Sequence, residues 1–173
     1  MLLMQMKKFL ATLLLVAPFP VSACFAPPAQ QLVPPDELIA RTQNIVLAKV
    51  VEAEVQGDAY EVTYTFKTIR SLKGSASETF QIAGYPAIWE GANENFNHHS
   101  DEEFWSKSSG RLSSDTDCEI HPEFSVGGTY LVFLDKPYHR KSFEIIVRTG
   151  GKADMRDKWL QYVESRVKHW SNP

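Results

Sequence analysis

Apolar and polar positions change period along this chain, and each change predicts an element. Asp36-Glu37-Leu38-Ile39-Ala40-Arg41 follows Pro34-Pro35, so proline and acids open a short helix and an arginine closes it. From Asn44 the run NIVLAKVVEAEV is rich in β-branched residues and predicts a strand. Gly57-Asp58 is a turn signal. Tyr60, Val62, Tyr64 and Phe66 then alternate with Glu61, Thr63, Thr65 and Lys67, the period of a half-buried strand. The alternation slips at Thr68-Ile69, which predicts a bulge or bend before Leu72. Lys73-Gly74 turns the chain into a third strand, Glu78 to Ala83. After Gly127-Gly128 the run TYLVFL predicts a fourth strand, and Phe143 to Val147 a fifth.

Three stretches break the strand pattern. Residues 24–35 hold four of the ten prolines, so they form an extended or turn-rich lead rather than an element. Residues 84–117 lose all periodicity, and an insertion of that length is too long for an ordinary connection. Within it, Ser100-Asp101-Glu102-Glu103-Phe104-Trp105 has the form of a helix start with Ser100 as N-cap. Over 154–170, Met155, Trp159, Tyr162, Val163, Val167 and Trp170 recur at helical spacing, with Asp154 as the expected N-cap. That aromatic stripe is read as core packing. The sum is mainly β: five strands, a short N-terminal helix and a C-terminal amphipathic helix. It predicts a small, partly open five-stranded barrel, with a plain α+β sandwich as the alternative.

The first residues read as targeting rather than fold. Lys7-Lys8 precede an apolar run from Phe9 to Ala17, and Val21-Ser22-Ala23 supplies the small residues of a cleavage site. Residues 1–23 are therefore expected to be a signal peptide, with Cys24 opening the mature domain over 24–173. The apolar run falls short of the roughly 20 residues that span a bilayer, so the mature chain is expected to be secreted, periplasmic or lipid-tethered, not integral. Residues 1–23 carry two lysines and no acid, so their loss moves the net charge from −3 to −5. An acidic exported domain lacks the basic footprint that nucleic acid requires.

Export also bears on the two cysteines. An oxidising compartment and an even count favour a Cys24–Cys118 disulfide. It would close a loop of about 100 residues, worth roughly 4–5 kcal/mol in the chain-entropy model. Val21-Ser22-Ala23-Cys24 equally satisfies a loose lipobox, and acylation of Cys24 would exclude that bridge. His98, His99, Asp101 and His121 invite a metal, but adjacent histidines rarely point the same way and no recognised ligand spacing is completed, so they are read as a solvated loop. No nucleophile motif or phosphate-cradling glycine loop is present, and Gly127-Gly128 and Gly150-Gly151 read as turns. No catalytic residue, metal or cofactor is expected. Trp89, Phe96, Phe104 and Trp105 stand out in the insertion. They are either anchors for a partner or the means by which the insertion folds back onto the barrel mouth.

Taken together, these residues resemble the netrin-like module, the OB-type barrel best known in tissue inhibitors of metalloproteinases. The matching features are Cys24 followed by Pro27-Pro28, a short helix over Pro35–Gln43, the strand IVLAKVVEAEV and the strand end YTFKTIRSLKG. Cys118 then precedes FSVGGTYLVF (Phe124 to Phe133), and an amphipathic helix closes the chain. The resemblance covers nearly all of 24–170 except 84–117. It implies that the α-amino group and carbonyl of Cys24 would chelate a protease zinc, that Phe25 would enter the specificity pocket and that Cys118 would anchor Cys24. The animal inhibitors begin Cys-x-Cys and carry several further disulfides; here the third mature position is Ala26 and only one bridge can form.

The expected function is thus an exported, non-catalytic binding module with a protein partner, in its sharp form a metalloprotease inhibitor acting through its mature N-terminus. The alternative is an envelope protein with a structural role, lipid-anchored through Cys24.

Overall fold

A computed structural model describes residues 26–57, 60–87, 96–106, 110–112, 117–148 and 156–171. Residues 1–25, with Cys24 and Phe25, lie outside the described residues, as do Trp89, Asp154, Met155 and Gly150-Gly151.

A 3-10 turn, Ala29–Gln31, leads into α1, Pro35–Arg41. Pro35 stands in the first turn with Asp36 and Glu37, where an absent N–H costs nothing and negative charge meets the positive end of the helix. Thr42 ends the helix, its backbone N–H and Oγ1 both donating to the Leu38 carbonyl. Strands β1 (Ile45–Gln56), β2 (Glu61–Lys73) and β3 (Thr79–Gly84) follow; after the short helix α2 (Glu102–Trp105) come β4 (Thr129–Phe133), β5 (Phe143–Val147) and helix α3 (Lys158–Ser171).

All five strands pair antiparallel in the order β3-β2-β1-β4-β5. The bulge expected near Thr68-Ile69 is present: Leu47 faces Arg70 and Ala48 faces Thr68, leaving Ile69 as the extra residue. A second bulge sits on β1 at Val51, between the pairs Val50–Phe66 and Glu52–Thr65.

The sheet is buried on both faces where β1, β4 and β5 meet, which explains why these stretches read as continuous apolar runs. One face sends Ile45, Leu47, Leu131 and Phe133 against Leu38 and Ile39 of α1, Phe104 of α2, and Trp159, Leu160 and Val163 of α3. The other sends Val46, Val50, Phe66, Tyr130 and Phe143 into a second core around Phe124, whose ring meets Tyr64, Phe66 and Tyr130 edge-on at about 5 Å. Burial of Leu160 and Val163 alone supplies about 1.5–3 kcal/mol each. The stripe on α3 is therefore core packing through Val163, with Tyr162 and Val167 half-buried against the same core, while Trp170 is exposed.

Two expectations are corrected. The N-cap of α2 is Asp101, which accepts from the Glu103 N–H, not Ser100. Helix α3 starts at Lys158 with Asp157 as its cap, accepting from the Leu160 N–H, because Asp157 is held by a buried partner described below. The pairing leaves the sheet open, with β3 and β5 as its two edges. The gap between those edges is bridged by irregular chain. The Tyr85 N–H, just past β3, donates to the Pro122 carbonyl. Arg111 ties the neighbouring carbonyl of Glu123 to that of Phe143 on β5 through Nη1 (3.1 Å) and Nε (2.9 Å). Among the described residues, no helix is long and apolar enough to cross a membrane.

Candidate functional site

Two places gather polar side chains: a cleft beside the N-terminal segment, and a buried cluster beneath the insertion.

The cleft begins where the proline-rich lead meets the body of the fold. Proline denies residues 26–35 a regular element, so tertiary contacts must hold them. Gln31 does so. It is 4 % exposed, and its Nε2 donates to the carbonyl of Cys118, 87 residues away, at 2.6 Å. Arg41 adds a bond to the Gln30 carbonyl at 2.7 Å. Cys118 has φ of +67°, a left-handed turn that non-glycine residues seldom adopt, and this turns its carbonyl toward Gln31.

From this junction a cleft of about 1060 Å³ runs between the N-terminal segment, the outer side of β3 and the loop after β4. Tyr60 is 81 % exposed at one end. On its wall the rings of Tyr85 and His121 stack at 4.5 Å and 9°. His121 Nε2 lies 2.8 Å from Asp117, and that contact holds the exposed Asp117 carboxyl below the usual range, helped by the Glu119 N–H. Ligand atoms of Asp117, Glu119 and His121 lie within 4.8 Å of one another, all at the surface. His98, His99 and Asp101 are not among them, so the structure does not unite the four residues the sequence suggested for a metal.

The buried cluster overturns the solvated-loop reading for His99. His98 and His99 both have φ of +57°, and this tight turn leaves His98 exposed while sending His99 inward, 5 % exposed. His99 Nδ1 lies 2.7 Å from Asp157 and Nε2 lies 3.1 Å from Glu144, both carboxylates fully inside. Burial pushes the imidazole pKa down, but the hydrogen bonds and charges of Asp157 and Glu144 outweigh it and lift the value to about 8. The second Glu144 oxygen accepts from the Arg111 N–H at 2.7 Å. Lys141, wholly buried nearby, is pushed down to about 8 by burial, with its Nζ over the Phe104 ring and bonded to the Ser106 carbonyl.

This cluster contains a histidine beside an aspartate, but it offers no catalysis. Both ring nitrogens are committed to carboxylates, and among the described residues no nucleophile shares a hydrogen bond with them. It is a clamp that fastens the 96–106 segment to β5 and to the start of α3.

The aromatic residues of the insertion divide accordingly. Phe104 is buried against Trp159 and His99, so this ring is a packing anchor and not a display for a partner. Trp105 is half-buried against Trp159 and Tyr162, its Nε1 donating to the His99 carbonyl. Phe96 is half-buried beneath the Arg148 guanidinium. Sequence reading missed Gln31, Tyr85, Arg111, Glu144 and Asp157. The His121–Asp117 spacing of four was the one such signal visible locally; Arg111 reaches Glu123 across 12 residues, and its bond to Phe143 and the pairings of Gln31 and His99 span 32 or more.

The sequence matches no protein-family model and no curated protein.

Proposed function

We propose that this chain is an exported, non-catalytic binding module of netrin-like, OB-type fold that engages a protein partner through its mature N-terminus. In its sharpest form the partner is a zinc metalloprotease. The Cys24 α-amino group and carbonyl would meet the metal and Phe25 the specificity pocket, with Cys24 bridged to Cys118.

One observation carries this reading: the Gln31–Cys118 hydrogen bond, which fastens the N-terminal segment at the rim of an open cleft. A segment held there has already lost much of its conformational freedom, and pre-ordering of that kind favours binding. The same contact supports the Cys24–Cys118 bridge, because it keeps the lead next to Cys118. The strand order supports the barrel reading, since its two edges are linked through Pro122, Glu123 and Arg111 as in a partly open five-stranded barrel. An α-amino group with a pKa near 8 yields its proton readily to a metal.

The test is inhibition of a panel of secreted zinc endopeptidases by the mature protein, alongside a variant with one alanine added before Cys24. Inhibition by the mature form and its loss in the extended form are expected. Intact mass of the exported protein supplies the second arm. Diacylglycerol on Cys24 would overturn the proposal in favour of a lipid-anchored envelope protein.

A further inference from the structure

The outer edge of β3 borders the cleft described above. In the β2–β3 ladder the Thr68 N–H bonds to the Glu78 carbonyl, which sets the phase of the hydrogen bonds. Antiparallel pairs alternate, so Phe80 and Ile82 direct their backbone groups to β2, while Thr79, Gln81 and Ala83 direct theirs outward. Tyr85 has the same outward phase, and its N–H is taken by the Pro122 carbonyl. Pro122 therefore seals one end of the edge. It approaches so closely that a Cβ on Gly84 would lie 1.9 Å from its oxygen. Among the described residues, no backbone partner faces Gln81 or Ala83. Edge strands are ordinarily protected by lysine, proline or a bulge. This one has exposed Thr79, Gln81 and Ala83 side chains and an unbroken register.

We propose that the β3 edge takes up an extended, basic segment of a protein partner as a sixth, added strand lying in the cleft. Main-chain bonds to Gln81 and Ala83 would supply affinity, as in other cases of strand addition. Charge selects the occupant. Glu61 and Glu119 line the cleft and Asp117 adjoins it, against a single ammonium, Lys136, among the described lining residues. An acidic or polyanionic strand is repelled there. A second copy of this chain, with net charge −3 and the same acidic wall, is disfavoured for the same reason. The volume, about 1060 Å³, sits at the upper end of small-ligand sites and suits a stretch of polypeptide. This inference rests on the reading of the protein as a binding module and is independent of zinc chelation by Cys24.

The experiment is amide hydrogen exchange, followed by NMR, on the mature exported protein. The probe is acetyl-Lys-Val-Lys-Val-Lys-amide, compared with its all-glutamate counterpart and with chitotetraose. The lysine peptide is expected to slow exchange at Gln81 and Ala83 about tenfold and to leave Phe80 and Ile82, already paired with β2, unchanged. Ala83→Pro removes one outward N–H at an edge position where proline is tolerated, and should weaken peptide binding about tenfold with the fold intact. Glu119→Gln should weaken it less. Unchanged exchange at Gln81 and Ala83 overturns the proposal. So does equal binding of the glutamate peptide, protection by chitotetraose instead, or protection that grows with protein concentration alone and marks pairing between copies. Peptide binding that survives the added alanine before Cys24, with protease inhibition lost, would be the mark of two separate functions in one surface. Absent inhibition with intact peptide binding would overturn only the zinc reading.

Discussion

The imidazole of His99 and the carboxylate of Asp157, 58 residues apart in the chain, meet at 2.7 Å in a place closed to solvent. Glu144 completes the arrangement from the other side of the ring at 3.1 Å. Two buried acceptors on two ring nitrogens require both nitrogens to donate, so the histidine is held as imidazolium. Asp157 also caps α3, so one charge fixes the inserted segment, a strand and a helix start together.

Stability should accordingly fall on the alkaline side. The ordinary value for histidine is 6.5 and that of His99 in the fold is about 8, so the native state binds more protons between these limits. The contribution, about 2 kcal/mol, is complete below pH 6.5 and is lost as pH rises through 8. Urea midpoints measured from pH 6 to 8 should show this slope; above pH 8 the depressed value of the buried Lys141 acts in the opposite sense. His99→Gln should abolish it and cost about 3–5 kcal/mol at pH 6, because Glu144 and Asp157 then lose the imidazolium between them.

His139 should act in the opposite sense. Burial holds its pKa down at about 4; the Val33 carbonyl opposes this, while Lys141, Arg41 and Arg140 reinforce it. The neutral ring donates from Nε2 to Val33 and accepts at Nδ1 from the Lys141 N–H, both at 2.9 Å. A depressed value gives stability that is complete above pH 6.5 and lost as pH falls toward 4, worth about 3 kcal/mol. Together the two histidines place a stability maximum near pH 6.5. In His139→Gln the acid limb of the urea profile should flatten; an unaltered limb would show that other groups govern it.

The bridge between the sheet edges should be sensitive at two adjacent residues. A Cβ at Gly110 would stand 2.7 Å from the Arg140 carbonyl oxygen, so Gly110→Ala is expected to cost about 1–3 kcal/mol. Arg111→Lys keeps the charge but cannot bond the Phe143 and Glu123 carbonyls at once, and should cost about 2–3 kcal/mol. Thermal unfolding of both variants checks this. Wild-type stability in Arg111→Lys would mean that the guanidinium fork does not hold the gap.

Gln31→Ala should loosen the N-terminal segment without unfolding the sheet. Loss of the bond to the Cys118 carbonyl carries an expected cost of about 1 kcal/mol. Limited proteolysis should cut the variant within residues 26–31 at rates that leave the remainder intact. Equal cutting of the parent and the variant would remove Gln31 as the fastening.

Much of this architecture was legible along the chain because its causes are local. Alternation over Tyr60–Phe66, the Pro35 helix start, the slip at Ile69 and the buried run Phe143–Val147 each follow from neighbouring residues competing for two sides of one backbone. Those features the sequence determined by itself. Tertiary structure decided everything that depends on partners distant in the chain. It drew His99 inside to Asp157 and Glu144, moved the helix cap from the anticipated Asp154 to Asp157, and joined Gln31 to Cys118. It also left β3 and β5 unpaired with each other, with Arg111 and Pro122 spanning the space between them. A buried charge is tolerable only beside its counter-charge, and no periodicity in the sequence announces which of many carboxylates will be folded into place against it.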